Sequence, residues 1–206
     1  MRVPPRASTN LAIVCFVIVL AAIVSLHLLR PDFNPWTHRL SEYAIGPYGK
    51  LMTTAFLAAC LGLLALGHTL WHAVRHSFFL VVACGAMVVA AFADGLMAYF
   101  VADPYDPNAA GQVIVTPMGH MHDVLALSHA FFWALAVGAT PFALLADRKW
   151  RRLALTSFAL GALVALGMSV RTFSGMMMLG LTQRLWITCV LAWSLTHAVA
   201  LGRNQA

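Results

Sequence analysis

Charge is what this chain has least of. Only 10% of its 206 residues are charged, and Glu42 is the one glutamate among seven acidic residues. Hydrophobic residues make up 61% of the chain and the mean hydropathy is +0.81. That composition cannot clothe an ordinary soluble domain, so lipid has to be the solvent. The alternating apolar and polar pattern of a membrane barrel is also missing. Backbone amides in hydrocarbon are satisfied only within a helix or a closed barrel, which leaves helices. Cys15, Cys60, Cys84 and Cys189 all fall inside the apolar runs, where they read as small packing residues and not as a disulfide framework. There is no soluble basic surface, so the net charge of +6 reads as a topology signal and contact with anionic lipid, not as nucleic-acid binding.

What is present is a series of apolar runs long enough to cross a hydrocarbon core of about 30 Å. They predict an all-α polytopic bundle of six transmembrane helices at about 10–29, 51–71, 78–101, 123–146, 153–170 and 185–201. Residues 1–206 then form a single transmembrane domain, because no repeat or second composition interrupts them. The first run lacks a small-residue cleavage site after Leu28-Leu29-Arg30 and is expected to be retained as a helix. Lys and Arg concentrate in the connection 147–152 (Asp-Arg-Lys-Trp-Arg-Arg), which places that side, and with it both termini, in the cytoplasm. The expected location is the cell membrane, as a multi-pass protein.

Under this topology the cytoplasmic connections are short and the exoplasmic ones, 30–50, 102–122 and 171–184, are long. Long connections in a compact protein are usually functional or disordered. These carry Pro, Gly, aromatics and single charges, the makings of folded caps. Arg30, Ser41 and Glu42 lie in the first, Asp103 and Asp106 open the second, His120, His122 and Asp123 close it, and Arg171, Gln183 and Arg184 bound the third. A rise of 1.5 Å per residue sets Asp94 and His129 about 10 Å below that surface. A carboxylate at that depth needs a partner, so Asp94 and His129 are expected to pair inside the bundle beneath His122.

These residue types suggest several chemistries. His122 with Asp103, Asp123 or Glu42 has the donors of a zinc site with one position left for water. Met118, Met121 and the run Met176-Met177-Met178 with the imidazoles would suit copper(I). Catalysis would use His122 with Asp103, with Glu42 or Asp94 moving protons. Arg30, Ser41, Arg171, Gln183 and Arg184 could hold an anionic lipid head group. Each has a plainer reading: interface-marking histidines, a dipole-favoured Asp123, and arginines that snorkel or lock loops together. His68, His72 and His76 form a ladder at the other end of helix 2, and Trp36, Trp150 and Trp186 read as interfacial belt aromatics.

Five short motifs fall in a recognisable order. Arg30-Pro31 and Ser41-Glu42-Tyr43 follow helix 1, and Ala102-Asp103-Pro104 follows helix 3. Gly119-x-x-His122-Asp123 opens helix 4 and Gly180-x-x-Gln183-Arg184 opens helix 6. In this the chain resembles, over nearly its whole length, the bacterial and archaeal membrane family called domain of unknown function 998. The resemblance implies a six-helix protein of a prokaryotic inner membrane. It carries over Arg30, Ser41, Asp103, His122 and Arg184 as family positions, and it supplies no activity. A looser likeness, to the membrane zinc hydrolases that include alkaline ceramidases and adiponectin-type receptors, lacks the seventh helix and the paired histidines of its last one. Two functions follow as expectations: a membrane protein with a lipid-head-group site on its exoplasmic face, or a zinc-dependent hydrolase of a lipid ester or amide.

Overall fold

The computed structural model describes residues 6–104, 115–173 and 178–203, with side chains left undescribed at 170–173. Six helices carry the fold: α1 Arg6–Leu29, α2 Gly49–Ala73, α3 Phe78–Met97, α4 Pro117–Leu145, α5 Arg151–Phe173 and α6 Leu179–Arg203. All six are long and apolar enough to cross a membrane, and no strand occurs among the described residues. Each helix packs on the next in sequence, and α1 also packs on α6, so the bundle closes as a ring. Consecutive antiparallel neighbours are the usual outcome of short connections.

The interior is lined with small side chains. Ala12, Ala58, Ala65, Ala86, Ala90, Ala136 and Ala154 are all buried. Small residues let membrane helices approach closely, because van der Waals contact drives their association when lipid is as apolar as leucine. Gly62 shows how close: a Cβ there would lie 3.0 Å from the Phe16 ring. Large side chains such as Phe78, Phe131 and Leu127, the last 74% exposed, point outward instead. A helix apolar on both its inner and outer faces belongs in lipid.

Three of the helix ends that differ from the hydropathy reading bear on the site. α3 stops at Met97 and not near 101, since Tyr99 and Phe100 extend the apolar run while their N–H groups turn back onto the Leu96 carbonyl. α4 starts at Pro117, not 123, because Thr116 caps it by accepting from the Gly119 N–H and Pro117 occupies the favoured first position. His122 and Asp123 therefore sit within the second turn of a helix and not in a loop. α6 starts at Leu179 and not 185, its Gly180 and Leu181 N–H groups both bonded to the Trp36 carbonyl.

The belt reading of two tryptophans is also corrected. Trp150 is buried and donates to the Ala73 carbonyl at 3.0 Å, and Trp186 is buried in the bundle core, while Trp36 is exposed. Trp150 reaches the last residue of α2 and Trp186 packs on His129 of α4, contacts that flanking charge does not reveal.

Candidate functional site

The connection between α1 and α2 lies over one end of the bundle. It turns at Gly46, with φ 75°, and enters α2 through Tyr48, with φ 64°, left-handed conformations that a short reversal requires. A 3-10 turn at Leu40–Ala44 buries Leu40, Ser41, Glu42 and Tyr43 against the helices. Three arginines hold this cap, and each uses all three of its guanidinium nitrogens on protein acceptors.

Arg39 is the hub. Its Nε donates to Glu42 Oε1 at 3.0 Å, its Nη1 to Asp123 on α4 at 2.9 Å, and its Nη2 to the Asp103 carbonyl at 2.9 Å. Glu42, 1% exposed, also accepts from the Arg39 backbone N–H. One side chain thereby ties the first cap to the second and to α4.

Arg184 of α6 does the same from the other side. Nε donates to His27 Nε2 at 2.7 Å, Nη1 to the carbonyls of His38 and Gly180, and Nη2 to the Tyr43 hydroxyl at 3.3 Å. His27 Nδ1 lies 2.7 Å from the Ile23 carbonyl and so must be the donor there. Nε2 is then free to accept from Arg184, which fixes His27 as the neutral Nδ1–H tautomer. Gln183 adds a further tie, its amide oxygen accepting from the Leu40 N–H at 2.8 Å.

Arg30 straps the cap's own ends. It makes a two-pronged contact with Asp32 and donates to the Ile45 carbonyl at 2.7 Å, with its guanidinium 4.0 Å from the centre of the Phe33 ring. Hydrogen bonding to Arg30 holds the Asp32 carboxyl below its ordinary pKa. A depressed carboxyl contributes stability above its unfolded pKa of about 3.9 and loses it as pH falls through the lower folded value. Wild-type protein should therefore lose melting temperature more steeply below about pH 4 than Asp32→Asn, by a small margin since solvent screens the pair. Superimposable melting-temperature profiles would show that the pair is not coupled to folding.

The remaining sequence candidates fall into two groups. Asp103 accepts from the Thr116 N–H and hydroxyl, both at 2.7 Å, and so braces the start of α4. His122, buried, donates through Nδ1 to the Phe100 carbonyl at 2.7 Å. Asp123, 57% exposed, faces Arg39 on another side of α4. The three proposed zinc ligands thus point to separate partners, and no group of three His, Cys, Asp or Glu side chains among the described residues could hold a metal ion. Of the copper candidates, Met118, Met121 and Met178 are exposed, and Met176 and Met177 lie outside the described residues, as does Asp106. The Arg171 side chain also lies outside them.

Beneath the cap the bundle is hollow. Two adjoining cavities of about 80 Å³ each share Met52, Phe56, Asp94, His129, Trp186 and Ile187 in their walls. Ser41, His122 and Gln183 complete the upper one, and Phe16, Val19, Leu63, Trp133 and Val190 are among the apolar walls of the lower. His129 Nδ1 lies 3.1 Å from Asp94 Oδ1 without the alignment of a hydrogen bond. His122 and His129, seven residues apart, both border the upper cavity.

Arg39 and His27 are the residues that sequence reasoning did not single out, and Tyr43 entered it only as part of a motif. Nothing local marks Arg39, whose partners on the second cap and α4 lie 64 and 84 residues away. At the opposite end of the bundle His68 and His72 keep the helical spacing of the ladder, their rings 4.5 Å apart, but α2 ends at Ala73, so His76 lies beyond the helix and packs on the Trp71 ring. Among known proteins, a family model described as a protein of unknown function (DUF998) matches residues 13–200. No curated protein and no solved structure matches the chain.

Proposed function

We propose, from the premise that the chain belongs to the DUF998 family of proteins of unknown function, that it is a membrane-embedded binding protein. Its ligand is an amphipathic molecule whose polar end sits in the chamber under the cap. The carrying observation is the chamber's own polarity: an upper cavity bordered by Ser41, His122 and Gln183 adjoins an apolar lower one, with Asp94 and His129 in the walls of both. A concave site lined mostly by apolar groups with a few convergent polar ones is the usual form of a ligand pocket. An ionisable pair inside a membrane bundle is costly and generally tied to function.

In this reading the arginines do not grip an anionic head group. Arg30, Arg39 and Arg184 hold the cap through bonds to loop carbonyls, carboxylates, His27 and Tyr43, and the cap in turn closes the chamber. The bilayer supplies the ligand and the capped end faces the exoplasmic side, as the basic cluster at 147–152 implies. Native mass spectrometry of protein extracted in mild detergent should show one added mass in the range of a small amphipath. Ala59→Leu, which fills the lower cavity, should remove that mass without lowering the melting temperature. The same mass on the filled variant, or none on the wild type, would overturn the reading.

Hydrolysis is favoured by one observation. His122 spends Nδ1–H on Phe100, which leaves Nε2 as its basic nitrogen beside the cavity that Ser41 also lines. No hydrogen bond joins Ser41 to either cavity histidine, so activation of that hydroxyl would have to develop on binding. Turnover of the bound molecule by wild type, abolished in His122→Ala, is the result that would move the assignment from binding to catalysis.

A further inference from the structure

We infer that the chamber takes an uncharged polar head that both donates and accepts a hydrogen bond, a hydroxyl or an amide, and that it rejects anionic heads. This rests on the chamber reading above and assigns its ligand class.

The inference starts from two atoms. Asp94 Oδ1 has His129 Nδ1 3.1 Å away without a hydrogen bond, and Asp94 Oδ2 and Trp186 Nε1, like that Nδ1, are buried without a hydrogen-bond partner. Both residues are 3% exposed, they come from α3 and α6, and each lines both cavities. Trp186 packs edge-on against His129, with ring centres 5.6 Å apart, so acid, imidazole and indole form one locus. An unpartnered buried polar atom costs about 1–3 kcal/mol, and more when charged. An occupant that satisfies both atoms at once is therefore strongly favoured.

The two vacancies have opposite sense. A carboxylate oxygen only accepts and an indole N–H only donates. An ionised phosphate or carboxylate head could take the indole N–H, but it would carry a charge out of water and offer Asp94 Oδ2 no donor. A quaternary ammonium has no N–H to give and no acceptor. A primary ammonium would donate to Asp94, yet it would leave the indole unsatisfied and compete with His129. A hydroxyl or an amide donates to one and accepts from the other.

The upper rim has the same mixed character. Gln183 has its amide oxygen committed to Leu40, so its NH₂ is what it offers to the cavity. His122 has Nδ1–H committed to Phe100 and offers Nε2 as an acceptor. A head with a second polar group, such as an amide beside a hydroxyl, matches this rim.

The test uses the intact protein in lipid nanodiscs and four photoreactive probes that share one short diazirine-bearing alkyl chain. Their heads are hydroxyl, primary amide, carboxylate and quaternary ammonium, and labelled peptides are read by mass spectrometry. The hydroxyl and amide probes should label α3, α4 and α6 around Asp94, His129 and Trp186 about fivefold or more above the charged probes, the ratio expected from one hydrogen bond gained. Trp186→Phe, which keeps a ring and removes the N–H, should lower that preference; because the head-group comparison is made on wild type, it stands even if this variant does not fold. Equal labelling by all four heads would overturn the head-group assignment and leave the chamber reading intact. Labelling confined to lipid-facing positions would mean that water alone fills the chamber and would overturn both.

Discussion

Arg39→Met lowers the stability of the folded bundle by about 3 kcal/mol, the low end of the cost of breaking a buried ion pair from one side. The loss comes less from the bonds removed than from what they leave behind. Glu42 is 1% exposed, and without Arg39 its carboxylate keeps only the backbone N–H of residue 39 in a place that water barely reaches. Asp123 and the Asp103 carbonyl lose their partner as well, but Asp123 is solvated and loses little. The double variant Arg39→Met, Glu42→Gln should recover part of the deficit, because a neutral amide is cheaper to bury than an unpaired charge. Unfolding in mixed micelles, analysed as a double-mutant cycle, measures both terms. A single variant within about 0.5 kcal/mol of wild type, the range of an ordinary surface change, would show that Arg39 is not the hub of the cap.

Gly180→Ala is expected to cost as much or more, through shape and not charge. A Cβ there would stand 2.5 Å from the His38 carbonyl oxygen and 2.6 Å from that of Pro35. Both are backbone atoms, so the cap must lift as a body. Lifting it breaks the bonds from Arg184 to the His38 carbonyl and from Gly180 to the Trp36 carbonyl. The direct steric cost is about 1–3 kcal/mol by analogy with overpacked cores, and the lost bonds add to it. Gly138→Ala is the matched control, since a Cβ at that helical position meets nothing within 4 Å. It should be neutral, or stabilising by up to about 1 kcal/mol, through reduced backbone entropy. If the two variants melted together, close packing at the start of α6 would be refuted as the reason for a glycine there.

The same residues show how far the sequence could be read. Hydropathy located six helices because a membrane span is a composition, legible in any window of about 19 residues. It misplaced the starts of α4 and α6 because those ends are set by hydrogen bonding: Thr116 onto Gly119 within one turn, and the Trp36 carbonyl onto Gly180 from across the bundle. The Thr116-Pro117 pair was a readable capping signal inside what looked like a loop. The Trp36 contact has no local signal at all. Depth arithmetic placed Asp94 and His129 at similar levels, and they lie 3.1 Å apart, even though both helix ends used as its rulers were off.

Arginine function was the harder inference. Arg30 and Arg184 stand out in an apolar chain and invite an anionic ligand, but a guanidinium offers five donors, and a loop of unpaired carbonyls uses them as readily as a phosphate does. Which of the two holds depends on where the carbonyls of His38, Ile45 and Gly180 end up, and that is a property of the folded cap.

The Trp36 carbonyl that seats α6 also imposes an order of assembly. The first connection is synthesised well before residues 180 and 181, whose N–H groups its Trp36 carbonyl accepts. Until then the ring of helices is open between α1 and α6, and the cap has neither Gln183 nor Arg184 to hold it. Closure thus waits on α6: a chain that stops short of it displays an unlatched first loop, open to proteases and quality control.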